Sequence, residues 1–251
     1  MSGILAALAG GISIEYGTPM SGGYFAGYIS TNADGTPTHK LIIAPKESGE
    51  ITGVAANAGN ADFLTCGAYS MYDGLANTNL MVAAGTGVYP AAQYCRALSI
   101  GGYTDWYLPS LFELEIAFFN LKPGTGLNST SAGTGGYKYV GPYAPFVNLY
   151  SPLVGGRNPY AIPNRSGITY SAGSPPRTGS VTFYATGPVG PQRLTNGNIY
   201  RTSTQAIGNN GSNKNLIMGI QTSTGGIILS IHQGGIGASG YTARAIRKEP
   251  V

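Results

Sequence analysis

Gly101-Gly102-Tyr103-Thr104-Asp105-Trp106-Tyr107-Leu108-Pro109-Ser110, followed by Leu111-Phe112-Glu113-Leu114, is the stretch on which the fold turns. Pro109 forces Leu108 into an extended conformation. Ser110 and Glu113 have the spacing of a capping box, so a helix starts directly after the proline. Leu111, Leu114, Phe118 and Leu121 then fall on one helical face, and Pro123-Gly124 ends the element. Trp106, the single tryptophan, stands where strand meets helix and reads as a core anchor. Trp106, Pro109, Ser110 and Glu113 are thus structural positions, and Asp105 beside Gly and Thr reads as a turn residue.

Working outward, a first helix is expected from Pro90 to Leu98, with Pro90 in its first turn and Ala91, Tyr94, Cys95 and Leu98 on one face. Residues 61–87, including Asp73-Gly74-Leu75-Ala76-Asn77-Thr78, read as an ordered loop rich in Gly and Asn. Before them, YFAGYIS (24–30) and KLIIAP (40–45) are β-like runs around the turn signal Asn32-Ala33-Asp34-Gly35, predicting a hairpin or small sheet. After them, residues 198–204, 215–221, 226–232 and 241–247 return to β character, with a turn at Ser223-Thr224-Gly225 between the middle two. The fold class expected is therefore α+β, in which late strands pair with early ones to cover two helices.

With only 10% charged residues against roughly 25% in ordinary soluble domains, the 251-residue chain is kept polar by Asn, Ser, Thr and Gly. Its 40 glycines and 16 prolines point to many loops, and its 18 tyrosines argue against disorder. The net charge of +4 is scattered, densest at Arg244, Arg247 and Lys248, without the basic stripe or reading helix a nucleic-acid partner requires. The opening MSGILAALAGGISI (1–14) lacks basic residues and is broken by Gly10-Gly11. It is expected to be neither signal peptide nor membrane span, but an arm that buries itself against a partner chain.

No catalytic constellation is expected. His39 and His232 lie in separate runs without ligands at zinc spacing, so no metal and no cofactor is implied. Glu113 and Glu115 point to different sides of one helix, Glu47 and Glu50 share a turn, and no phosphate loop or nucleophile elbow occurs. Cys66 and Cys95 are too few for a disulfide framework. One bridge between them is open, but Cys95 in an apolar helical pattern reads better as a free, buried thiol.

The remaining signal is residues 124–197, long, rich in Gly and Pro, and carrying Tyr137, Tyr139, Tyr143, Tyr150, Tyr160 and Tyr170 among Arg157, Arg165 and Arg177. Tyr and Arg carry binding energy at interfaces, and aromatic faces stack on sugars. Tyr137, Tyr139, Tyr143, Tyr150, Arg157, Tyr160, Arg165 and Tyr170 are the candidate ligand-binding residues; the alternative is that these side chains pack the loops onto the core or onto symmetry-related copies.

Asp73-Gly74-Leu75-Ala76-Asn77-Thr78, Pro90-Ala91-Ala92-Gln93-Tyr94-Cys95, Gly101 to Ser110 with Glu113-Leu114, and the ending Tyr241 to Arg247 together resemble the Lcl-type C-terminal domain. This family is related to the C-type-lectin-like and formylglycine-generating-enzyme-like folds. The likeness covers residues 61–124 and 198–248; the family's Trp-Ser-Ser-Thr segment is here Ile199-Tyr200-Arg201-Thr202-Ser203-Thr204. The resemblance implies a C-type-lectin-like core of two helices and a mostly antiparallel sheet over residues 57–251, with a β-rich arm at 1–56 for anchoring and a loop insertion at 124–197. It also implies a bacteriophage virion protein, a tail-fibre or particle-surface adhesin for a host-surface glycan or protein. The alternatives are a purely structural decoration protein of capsid, neck or tail, or a bacterial surface adhesin. The expected partners are other virion proteins and further copies of the chain, as a cyclic homo-oligomer such as a trimer, with no nucleic acid and no membrane insertion.

Overall fold

A computed structural model of the chain describes residues 14–55, 66–128, 130, 158–168, 170–184, 190–207, 215–223, 226–231 and 241–251. In chain order the elements are β1 (Pro19–Met20), β2 (Gly23–Ile29), β3 (His39–Ile43), α1 (Lys46–Gly49), β4 (Glu50–Thr52), α2 (Gly74–Ala83), α3 (Pro90–Arg96) and α4 (Leu111–Leu121). A short 3-10 turn (Val181–Phe183) precedes β5 (Ile199–Ile207), β6 (Asn215–Gln221), β7 (Gly226–Ile231), β8 (Tyr241–Arg244) and β9 (Ile246–Pro250). The class is α+β, with four helices among the described residues instead of two, and two sheets instead of one. None of those helices is long and apolar enough to cross a membrane.

The first sheet has the order β1-β2-β3-β9 and is antiparallel throughout, so the last strand lies against an early one, as expected. The second has the order β4-β8-β5-β6-β7, antiparallel except where β5 and β8 run parallel at Ile199↔Tyr241. Pro19–Thr52, inside the expected arm, supplies four strands to these sheets, while residues 1–13 lie outside the described residues.

The run 241–247, expected as one strand, is two. Between them Ala245 donates its N–H to the Gly49 carbonyl (2.9 Å) and accepts from the Ala44 N–H (3.0 Å). Ile246 then exchanges both backbone hydrogen bonds with Tyr107, at 2.9 and 3.0 Å. The chain thereby crosses from the second sheet into the first, because its backbone groups find different partners on either side of Ala245.

Residues 74–83, read as loop, form α2. Asp73 caps it by accepting from the Ala76 N–H (3.2 Å). Its inward face sets Gly74, Asn77 and Thr78 beside Met81, and this mostly polar face hid the helical period. Asn77 both accepts from the Ser70 N–H and donates to the Ser70 carbonyl; the Thr78 hydroxyl donates to the Leu108 carbonyl (3.0 Å) and accepts from the Leu108 N–H (3.1 Å). The large apolar residues Leu80 and Val82 face out.

Helix α4 is the central element, with ten of its eleven residues buried, so both sides need covering. One core gathers α4 with Leu41, Ile43, Tyr107, Tyr200 and Ile246. A second gathers Trp106 with Phe25, Tyr28, Ile42 and Cys95 of α3. Successive residues of β3 thus serve opposite cores, as the alternation of a strand requires. Trp106 is fully buried and its indole N–H donates to the Tyr103 carbonyl (3.1 Å). At about 25 cal/mol per Å2 its burial contributes on the order of 5 kcal/mol. Cys66 and Cys95 are both free thiols, and burial pushes the Cys95 thiol far up.

The expected capping box is present: Ser110 Oγ accepts from the Glu113 N–H, and the Glu113 carboxylate accepts from the Ser110 N–H (2.8 Å). The same carboxylate accepts from the Gly74 N–H (3.0 Å) and the Tyr107 hydroxyl (3.0 Å), with Lys248 Nζ of β9 at 3.6 Å. Burial pushes this carboxyl above the ordinary glutamate range, and Lys248 pulls it back. The approach is close enough that a Cβ on Gly74 would lie 2.4 Å from Glu113 Oε2 and 2.5 Å from the Ser110 nitrogen.

Gly74→Ala is therefore expected to destabilise the protein by about 2 kcal/mol, the usual cost of overpacking, read from urea unfolding. Glu113→Ala, which strands the Gly74 and Ser110 amides and the Tyr107 hydroxyl, is expected to cost about 3 kcal/mol. The acid limb has its own determinant in Glu249, held below the ordinary range by hydrogen bonds from Ser21 and then Lys40. A lowered folded pKa gives stability that is present above the unfolded value of about 4.5 and is lost as pH falls through the folded one. Unfolding curves of Glu249→Gln taken between pH 6 and pH 3 are expected to show a shallower loss than wild type.

Candidate functional site

The acidic residue whose role sequence reasoning did not find is Glu115. It sits on α4 among apolar neighbours and is 1% exposed, so its charge must be answered inside the protein. The answer comes from Asn158, Arg165 and Tyr170. The Arg165 guanidinium pairs with Glu115 Oε2, the Asn158 side-chain amide donates to the same oxygen (2.8 Å), and the Tyr170 hydroxyl donates to Oε1 (2.8 Å). Asn158 also donates to the Phe112 carbonyl (3.0 Å). Glu113 and Glu115 do serve different sides of the helix, one tying together α2, α4 and β9 and the other holding Asn158, Arg165 and Tyr170.

Three of the eight candidate ligand-binding residues are among the described residues, and two of them, Arg165 and Tyr170, lie in this latch. Arg165 and Tyr170 are each 4% exposed. Arg165 lies over the Phe119 ring with its carbon 4.0 Å from the centroid, and Tyr170 stacks on Phe118. Tyr160 is half-buried, stacks on Tyr72 at 4.2 Å, and its carbonyl accepts from the Ser30 N–H (2.8 Å). Tyr137, Tyr139, Tyr143, Tyr150 and Arg157 lie outside the described residues. Sequence reasoning left these residues open between ligand contact and packing onto the core or onto other copies. The signal that ties Tyr170 and Arg165 to the core is Glu115, an acid inside the apolar run Leu111 to Leu121.

Outside the latch the insertion leaves a depression of about 290 Å3 against α4, walled by Phe119, Pro163, Ile168 and Tyr170, with Arg165 and Asn164 at its polar margin. Ile168 is 57% exposed at this rim. Such a surface, mostly apolar, suits a ring-shaped or apolar group.

The other positions singled out are structural in their contacts. Trp106 and Pro109 are buried, and Ser110 and Glu113 form the cap described above. Asp105 takes Arg247 in a two-point pair, at 2.7 and 2.9 Å, while the guanidinium covers the Tyr103 ring. His39 Nδ1 meets the Thr38 hydroxyl at 2.9 Å, and burial pulls the imidazole below its ordinary range. Among the described residues no group of three or more His, Cys, Asp or Glu could hold a metal ion.

No protein-family model, no curated protein and no solved structure matches the chain.

Replacing Glu115 by Ala is expected to cost about 3 kcal/mol, since a buried guanidinium loses its partner. The more specific outcome is local: in limited proteolysis the variant is expected to be cut within residues 158–175 well before wild type, while Arg165→Met, which removes both charge and demand for a partner together with Glu115→Leu, restores protection.

Proposed function

We propose that this chain is a binding and assembly module, not an enzyme: a bacteriophage virion protein whose Lcl-type, C-type-lectin-like domain sits on the particle and engages a host-surface glycan or protein. The observation that carries the reading is the depression on α4, which the insertion builds from Phe119, Pro163, Ile168 and Tyr170 and which Glu115 and Arg165 hold in shape. An aromatic and aliphatic wall with an amide at its margin has the chemistry of a sugar-binding or side-chain-binding surface. The likeness of residues 61–124 and 198–248 to the Lcl-type domain, and a surface made polar without charge, support a place on an assembled particle. The motif residues Trp106, Pro109, Ser110 and Glu113 act in this reading as architecture.

The test is saturable binding of the labelled protein to whole bacterial cells, alongside peptide mass spectrometry of purified phage particles. Wild type is expected to bind and to be found in particles. Ile168→Asp, a change at an exposed rim position, is expected to weaken binding about tenfold, or about 1.4 kcal/mol, with unfolding unchanged. Presence in particles without cell binding would favour a purely structural decoration role, and absence from both would sink the proposal.

A further inference from the structure

Four arginines are buried among the described residues, and three of them are answered. Arg165 pairs with Glu115; Arg247 grips Asp105; Arg244 donates to the carbonyls of Ala44 and Gln192 with Glu50 at 3.6 Å. Arg201 differs. It is 5% exposed and lies over the Tyr241 ring with its carbon 4.0 Å from the centroid; its sealed Nε has no hydrogen-bond partner, which is true of Arg165 Nε too, but Arg165 has the Glu115 carboxylate for its charge. No carboxylate among the described residues pairs with it. Two positions further along β5, the fully buried Ser203 hydroxyl also lacks a partner.

Both orphans fall where β5 departs from its ladder: the register against β6 shifts between Arg201 and Gln205. There the strand turns its backbone to the motif region, with the Ser203 N–H on the Pro109 carbonyl (2.8 Å) and Thr204 Oγ1 accepting from the Leu111 N–H (2.9 Å). A buried cation without a counter-charge is costly, by several kcal/mol for an ordinary ion. An aromatic ring over one face steadies a guanidinium but leaves its N–H edge open, and that edge matches two oxygens of one anion.

We propose that Arg201 and Ser203 form a binding site for a small oxyanion of the phosphate or sulfate class, gripped in the guanidinium plane and completed by the Ser203 hydroxyl. Burial lowers the Arg201 guanidinium to about 10, a direction a bound anion would reverse. The site is independent of the recognition reading above, because cell adhesion and anion binding are measured separately.

The experiment is thermal unfolding of the full chain with inorganic phosphate or sulfate titrated against chloride at constant ionic strength. Wild type is expected to show a saturable rise in Tm of several degrees, as for any ligand that binds the folded state alone. Arg201→Met is expected to abolish the rise, and Ser203→Ala to weaken apparent affinity at least fivefold. Should Arg201→Met not fold, Arg201→Lys serves in its place: it keeps the charge, loses the two-point edge, and is expected to lose most of the response. An equal rise in wild type, Arg201→Lys and Ser203→Ala means an adventitious ion only and overturns the proposal. So does no rise at all, or a rise that follows protein concentration, which would mean a carboxylate supplied by a second copy.

Discussion

One buried carboxylate, that of Glu113, sets the geometry of the centre. A charge taken out of water has to be met by donors within hydrogen-bond reach, and Glu113 is met by the Gly74 and Ser110 amides, the Tyr107 hydroxyl and the Lys248 ammonium. These come from the start of α2, the start of α4, the strand-like run before it and the final strand. Satisfying one side chain therefore brings together segments far apart in sequence. Gly74 is required because the approach leaves no room for a Cβ. The helices are held at their positive ends, where a carboxylate is also favoured by the helix dipole.

Glu115, two positions along the same helix, repeats the device on the opposite side, with side chains where Glu113 uses backbone. The described residues around 158–168 and 170 are thus attached through a polar latch of Arg165, Tyr170 and Asn158 with aromatic stacking around it. Such an attachment specifies one docking geometry, since displacing the loop leaves a buried charge unanswered.

Much of this was legible in advance and some was not, for identifiable reasons. The capping box at Ser110 and Glu113, the hairpin of β2 and β3 and the strands β5, β6 and β7 follow local rules, and they stand where those rules put them. Helix α2 escaped because Gly74, Asn77 and Thr78 share its inward face with Met81 while Leu80 and Val82 point outward, so the apolar period that marks a helix is broken. The break at Ala245 escaped because it depends on partners two hundred residues away. The Tyr and Arg residues of the insertion illustrate a further gap: composition identifies side chains able to bind, and only the fold says whether Arg165 and Tyr170 spend that ability on their own core.

The crossing of the final run from one sheet to the other has a kinetic consequence. Strand β9 meets β3 through pairs such as Lys40↔Glu249, and β8 reaches β4 and β5 just before it. Neither sheet can be completed until residues 241–250 have emerged and found their places, so hairpins made early, such as β2 with β3, wait as open templates. Closing so long a loop adds entropy before any contact repays it, which places this chain among slow folders whose cooperative unit is closed by its last strands.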